Sequence, residues 1–327
     1  MKMEPIRPIT WIVLALTAAG CGESTGPLAD LSGLRSSLAP VHTVFASPLV
    51  RSLGYFQLVP ALPTLAAGGP LIPDSLLGKT LVFTCASQRY AESDDSGAPA
   101  TAVRLVLYQR APDGSIACPA TAIGQLDLFH ASAPGTTAVR GVATAPGGAA
   151  PLVDYTISHS AADPEDVARA TGFVSDGQQR LDFQVTGEPG SGFNNTIATV
   201  QLDDAAADLH AVLHHAAQMG VDTYSEDVDL SVHGAALRAE LTGSTGWFNT
   251  FRSWDEIVSV KDVPFAKVGG SMVPQDQGPT ITPEGGRLFF TGEELRVLLD
   301  FVAAPESIRA GLAGALGAGA RLVRIAL

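Results

Sequence analysis

Cysteine, aromatic residues and positive charge are all scarce in this chain. Of its 327 residues three are cysteine and 6% are aromatic, and 20 Lys and Arg stand against 33 Asp and Glu, a net charge of −13. The acid excess repels phosphate, which sets aside nucleic acid as a partner and direct adhesion to anionic lipid. Three cysteines are too few for a disulfide scaffold, and their spacing fits neither a CxxC redox motif nor a zinc site. No apolar run reaches the ~20 residues of a bilayer span. Charged residues are 16% of the chain and hydrophobic ones 46%, so wholesale disorder is excluded and a core can be buried. The familiar catalytic signatures are missing too. There is no G-x-S-x-G elbow, no G-x-G-x-x-G between a strand and a helix, and no Walker A loop. No cofactor is expected.

What is present begins at the N-terminus. Lys2 and Arg7 make a basic start, partly offset by Glu4, and an apolar stretch runs from Trp11 to Ala19. It is an h-region, too short to cross a membrane. Ala18-Ala19-Gly20-Cys21 then resembles the lipobox of bacterial lipoproteins, although Ala18 holds a position that is usually Leu. The resemblance implies lipid on the Cys21 sulfur and an acylated new N-terminus, an anchor that several acyl chains make effectively permanent. Gly22 at the next position points to the outer membrane, since an Asp there tends to retain Gram-negative lipoproteins at the inner one. The plainer alternative is a cleaved signal followed by a chance cysteine. With Cys21 assigned to lipid, Cys85 and Cys118 remain. In an oxidising compartment the simplest pairing is one disulfide, the alternative being two separate buried thiols.

The expected organisation is a signal peptide over 1–20, a lipidated tether over 21–27, a helical and Pro/Gly-rich segment over 28–78, a β domain over 79–290 and C-terminal helices over 291–327. Leu28, Leu31, Leu34 and Leu38 form a helical stripe that predicts a helix over Pro27–Ala39. Ser47 and Pro48 predict a second start, as N-cap and first helical residue. Residues 59–73 read as a connecting segment.

From Thr80 the pattern turns to strands. Thr80–Ala86, with Gln88–Tyr90 continuing it, then Val103–Tyr108, Ile123–His130 and Leu152–Ser158 are β-branched and alternating. Asp176-Gly177 between two alternating runs is a strong hairpin signal for Val167–Gly187. Residues 205–220 fit either a helix or a strand, and their neighbours tip the reading to a strand. Val228, Leu230 and Val232 alternate with Asp227, Asp229 and Ser231, as in an antiparallel sheet with one wet face. Gly234 reads as a bulge, Thr245–Phe251 as a turn with exposed aromatics, and Glu256–Val268 as a hairpin around Asp262-Val263-Pro264. Thr291 and Glu294 make a capping box for a helix to Val302. Pro305 starts a last helix, loosened by Gly311, Gly314, Gly317 and Gly319.

The fold class expected is mainly β. It is an antiparallel meander sheet of roughly nine to eleven strands, curved or half-barrel in form, with covering helices near both termini. Several pieces resemble an uncharacterised family of predicted bacterial lipoproteins: Pro73–Thr80, Ser96–Ala100, Gly172–Gly177 with Arg180–Phe183, and Thr291–Leu295. That resemblance supports a secreted β-rich architecture and implies no chemistry.

Candidate sites are few. His210 and His214 share a face beside Asp203, Asp204 and Asp208, a conceivable divalent-metal site, although a solvated polar face is the plainer account. Asp222, Glu226, Asp227 and Asp229 lack EF-hand spacing and read as a charged outer face. Two function classes follow. One is a non-catalytic, lipid-anchored envelope lipoprotein that binds an envelope protein or an apolar molecule, with Ala and Gly on the inner face leaving room for the latter. The other is an envelope hydrolase, metal-assisted through His210 and His214.

Overall fold

The computed structural model describes residues 31–58, 71–94, 97–160, 168–189, 195–219, 223–234, 237–248, 251–274, 279–286 and 289–323. The leader, Cys21 and the tether lie outside the described residues.

Among the described residues fifteen strands form one sheet that does not close. They are β1 (Thr80–Thr84), β2 (Arg89–Ser93), β3 (Ala102–Tyr108), β4 (Ala122–His130), β5 (Thr136–Thr144), β6 (Pro151–Ser160), β7 (Ala168–Ser175) and β8 (Arg180–Pro189), then β9 (Asn195–Asp204), β10 (Leu209–Met219), β11 (Thr223–His233), β12 (Arg238–Phe248), β13 (Phe251–Val260), β14 (Val263–Pro274) and β15 (Thr280–Pro283). From β3 to β15 each strand pairs with the next in sequence, all antiparallel. The exception is at one edge. β2 folds back on the outer side of β1, so β3 must join its other side, in parallel, through Thr80↔Arg104 and Leu81↔Leu105.

The strand count exceeds expectation for local reasons. Gln88–Tyr90 does not continue β1. Gln88 turns the chain at φ 55° and starts a new hairpin arm. β5 and β9 are rich in small and polar residues and carry weak strand signals. Within the stretch 205–220, Leu209–Met219 is a strand and residues 205–208 are the turn before it; β10 has a partner on each side that satisfies its backbone. Gly234 is no bulge, since it pairs with Leu237 across the end of the β11–β12 hairpin. Residues 245–248 belong to β12 rather than to a turn. Lys261 and Asp262, at φ 52° and 63°, form the tight turn from β13 to β14, the backbone shape whose twist matches paired strands.

The inner strands bury alternate residues, whereas the edge strands β2 and β15 bury none. On β11 Val228, Leu230 and Val232 are buried, while Asp227 and Asp229 are exposed. The other face carries cross-strand ion pairs such as Arg104–Asp127 and Arg140–Asp154. Helices lie on the buried face. α1 (Ser32–Ala46) continues through Pro40, beyond the expected end at Ala39, because Val41 and Val44 are fully buried. That burial opposes the ~3 kcal/mol penalty of an internal proline. α2 (Pro48–Leu53) begins at Pro48 as expected, but the Ser47 hydroxyl makes no capping bond. α3 (Tyr55–Leu58) follows. α4 (Gly292–Val302) carries the full Thr291–Glu294 capping box.

α5 (Ala304–Val323) is a 20-residue helix whose glycines are points of close approach rather than loosening. The Phe45 ring lies against Gly311, and Gly54 faces Gly314. Tyr155, fully buried on β6, is bracketed by its cross-strand partners Gly141 and Gly172 and roofed by Gly319. Its pKa is raised by burial.

Candidate functional site

Cys85 and Cys118 are joined in a disulfide, with Cα atoms 5.9 Å apart. It ties the β1–β2 turn to the segment before β4. His210 and His214 both project from the outer face of β10, but to different partners. His210 Nδ1 is 2.6 Å from Asp203 Oδ1, and His214 Nδ1 is 3.0 Å from Thr199 Oγ1. Among the described residues no group of three His, Cys, Asp or Glu side chains is placed to hold a metal ion.

The polar constellation that does converge lies on the opposite face. It follows from strand parity. His215 continues the inward series Leu209, Ala211, Leu213, Glu226 precedes Val228, and Glu256 precedes Val258. Glu226 is therefore not part of the charged outer face, and it is 9% exposed. Arg309, from the second turn of α5, reaches down to it. Its Nη1 donates to Glu226 Oε1 at 3.0 Å and its Nη2 to Glu306 at 2.5 Å. His215 Nε2 lies 2.9 Å from the same Oε1 and against Arg309 Nη1. The Tyr224 hydroxyl donates to Glu226 Oε2 at 2.6 Å.

These contacts set the charges. Burial alone would raise the Glu226 pKa, but the bond from His215, the charge of Arg309 and the bond from Tyr224 hold it below the usual carboxylate value. Tyr224 is pushed up to about 12, by burial first and by the bond to Glu226 second. Glu256 differs. It is 5% exposed, its Oε2 has no hydrogen-bond partner among the described residues, and its pKa is raised to about 7 by burial and then by the charge of Glu226.

The inward side chains of β11, β12 and β13 fall in three successive rows. Tyr224, Trp247 and Arg252 form the first, Glu226, Thr245 and Trp254 the second, and Val228, Gly243 and Glu256 the third. Gly243 is needed where it stands. A Cβ there would meet the Glu256 Cα at 2.6 Å. The Tyr224 and Trp247 rings stack at 4.1 Å with planes 16° apart. Trp247 is 39% exposed, so burial deepens from the first row to the third. These rows offer ring faces, a fixed cation and a carboxyl group whose Oε2 has no partner among the described residues.

Two depressions lie elsewhere. One of about 340 Å³ lies among α1, α2 and α5 beside Phe45, Arg51 and Arg110, and one of similar size lies at the β9–β10 turn beside Asp203, His210 and His233. No helix among the described residues is long and apolar enough to cross a membrane. Comparison with family models, with curated proteins and with solved structures gave no match.

Proposed function

We propose that the chain is a non-catalytic, lipid-anchored lipoprotein of the bacterial cell envelope with a binding role, held at the outer membrane through Cys21. The observation that carries it is the Cys85–Cys118 disulfide. A disulfide belongs to an oxidising compartment, which agrees with the leader, and it consumes the two other cysteines. Cys21 is then the one left, at the position where the lipobox resemblance puts the acyl chains. In this reading the sheet curves as a half-barrel around its helices. An apolar guest between sheet and helices has less support, because Tyr155 and Phe45 occupy the space beside the small residues. The slot at Tyr224, Trp247 and Glu256 is the better binding place. Metal-assisted hydrolysis through His210 and His214 gains no arranged ligand set among the described residues.

The test is metabolic labelling. Produced with its own leader in a Gram-negative host fed labelled palmitate, the chain is expected in the membrane fraction carrying label, and Cys21→Ala is expected to lose both. An unlabelled, soluble protein beginning just after Gly20 would make the leader an ordinary cleaved signal.

A further inference from the structure

The three rows of β11–β13 make a track. Two steps of two residues along a strand cover about 13 Å, the span of a few sugar rings. At its open end stands the stacked Tyr224–Trp247 pair, with Trp254 one row further in. At its closed end stands the Glu256 carboxyl, 95% buried, with one oxygen unpartnered among the described residues. Buried polar atoms are almost always hydrogen-bonded, so an orphan of this kind calls for a donor from outside the fold. The Nε atoms of Arg309 and Arg252 are likewise buried and unpartnered, and they require acceptors.

We propose that this track binds a neutral carbohydrate chain, with a sugar ring stacked on Trp247 and a hydroxyl of an inner ring donating to Glu256. The proposal rests on the binding role inferred above and names its ligand class. A hydroxyl is both donor and acceptor, so successive hydroxyls along one chain can serve Glu256 in the third row and the arginine nitrogens at the rows before it. Ring C–H faces suit the negative face of an aromatic. Charged ligands suit the slot poorly. Glu226 is already matched by Arg309, and Arg252 adds a cation beside Trp247, which disfavours a basic peptide. Glu256 and Glu226 disfavour an anion. The raised Glu256 pKa fits the same picture, since a half-neutral carboxyl can donate as well as accept.

The experiment titrates the intact mature chain with glucose, cellobiose, cellotriose, cellohexaose and chitohexaose, read by tryptophan fluorescence and calorimetry. A parallel arm uses phosphatidylcholine vesicles bearing a glucosylated lipid. Affinity is expected to rise with length up to the trisaccharide and then level off. Trp247→Ala, at an exposed ring, is expected to weaken binding about tenfold, in line with the loss of one stacking contact, and Glu256→Gln to shift it several-fold while leaving the melting temperature near or above that of the wild type. Binding to the vesicles without binding to free sugars would locate the chain on a lipid headgroup and keep the site. No binding in any arm at millimolar sugar, or binding that neither variant alters, would overturn the proposal. Neither result depends on Cys21, so palmitate labelling fails or succeeds separately.

Discussion

Arg309 of α5 and Glu226 of β11 are 83 residues apart in sequence and meet at 3.0 Å, with side chains 27% and 11% exposed. This is the charged bolt between the helix layer and the sheet. The surrounding contacts of the layer are apolar and shape-based, so they leave the rotation of α5 less specified than one directional pair does.

Removing one member should therefore cost more than removing both. Arg309→Met leaves Glu226 buried with His215 and Tyr224 alone, and a loss of roughly 3 kcal/mol is expected, the usual scale for stranding a buried charge. The double variant Arg309→Met with Glu226→Gln should regain part of it. Urea unfolding of both single variants and the double variant measures this, and single losses that simply add up to the double loss would show that the pair is not coupled.

Glu256 gives a pH dependence of opposite sign to the common acid case. Its folded pKa, about 7, lies above the ordinary carboxylate value of 4.5, so the folded state binds the proton more tightly than the unfolded one. Its contribution to stability is fully present below pH 4.5 and is lost as pH rises to 7, a fall of roughly 3 kcal/mol. Glu226, with a lowered pKa, acts the other way and only below its ordinary value. Unfolding free energies of Glu256→Gln should thus be flatter than wild type between pH 5 and pH 7.5 (roughly the titration window) and higher at the upper end. Parallel curves for the two proteins would contradict this.

The same parity rule explains what the sequence allowed and what it hid. The sheet was legible because Leu209, Ala211 and Leu213, or Val228, Leu230 and Val232, alternate cleanly. Carrying each series one step further reaches His215, Glu226 and Glu256, but a charged residue at an inward position reads as a break in the pattern rather than its continuation. Glu226 therefore reads together with Asp227 and Asp229, its outward neighbours. Their partner Arg309 could not be found at all, since helix period places it on a face but no spacing says which strand lies beneath. Thr136–Thr144 is hard to read as a strand for a different reason. Gly141 weakens the strand signal and is there for Tyr155, which is 14 residues away in sequence.

Tyr155 supplies the next expectation. A Cβ at position 319 would stand 2.8 Å from Tyr155 Cε2, on a fully buried ring with no room to retreat. Helix propensity alone would make Gly319→Ala stabilising by about 1 kcal/mol. Overpacking should win, with a net loss of about 1–2 kcal/mol, whereas in a Tyr155→Leu background, itself destabilised by the lost ring, Gly319→Ala should be close to neutral or stabilising. A stabilised single variant would mean that α5 slides freely over the sheet.

The disulfide can be tested without disturbing the core, since Cys85 and Cys118 sit in turns at the sheet edge. A cross-link over 33 residues restricts the unfolded chain by about 4 kcal/mol in the chain-entropy model. Replacing both cysteines by serine should lower the unfolding free energy by that order and leave the strand signature of the circular dichroism spectrum intact. Mass spectrometry of the wild-type chain should show two hydrogens fewer than the free thiols require. If the double variant matched wild type in stability, and the wild-type chain took up two hydrogens on reduction without loss of stability, the bond would be a mark of the compartment and the β1–β3 edge would be held by its own packing, the Tyr90 hydroxyl bonded at 2.7 Å to Val106 among Tyr55, Phe56, Phe83 and Tyr108.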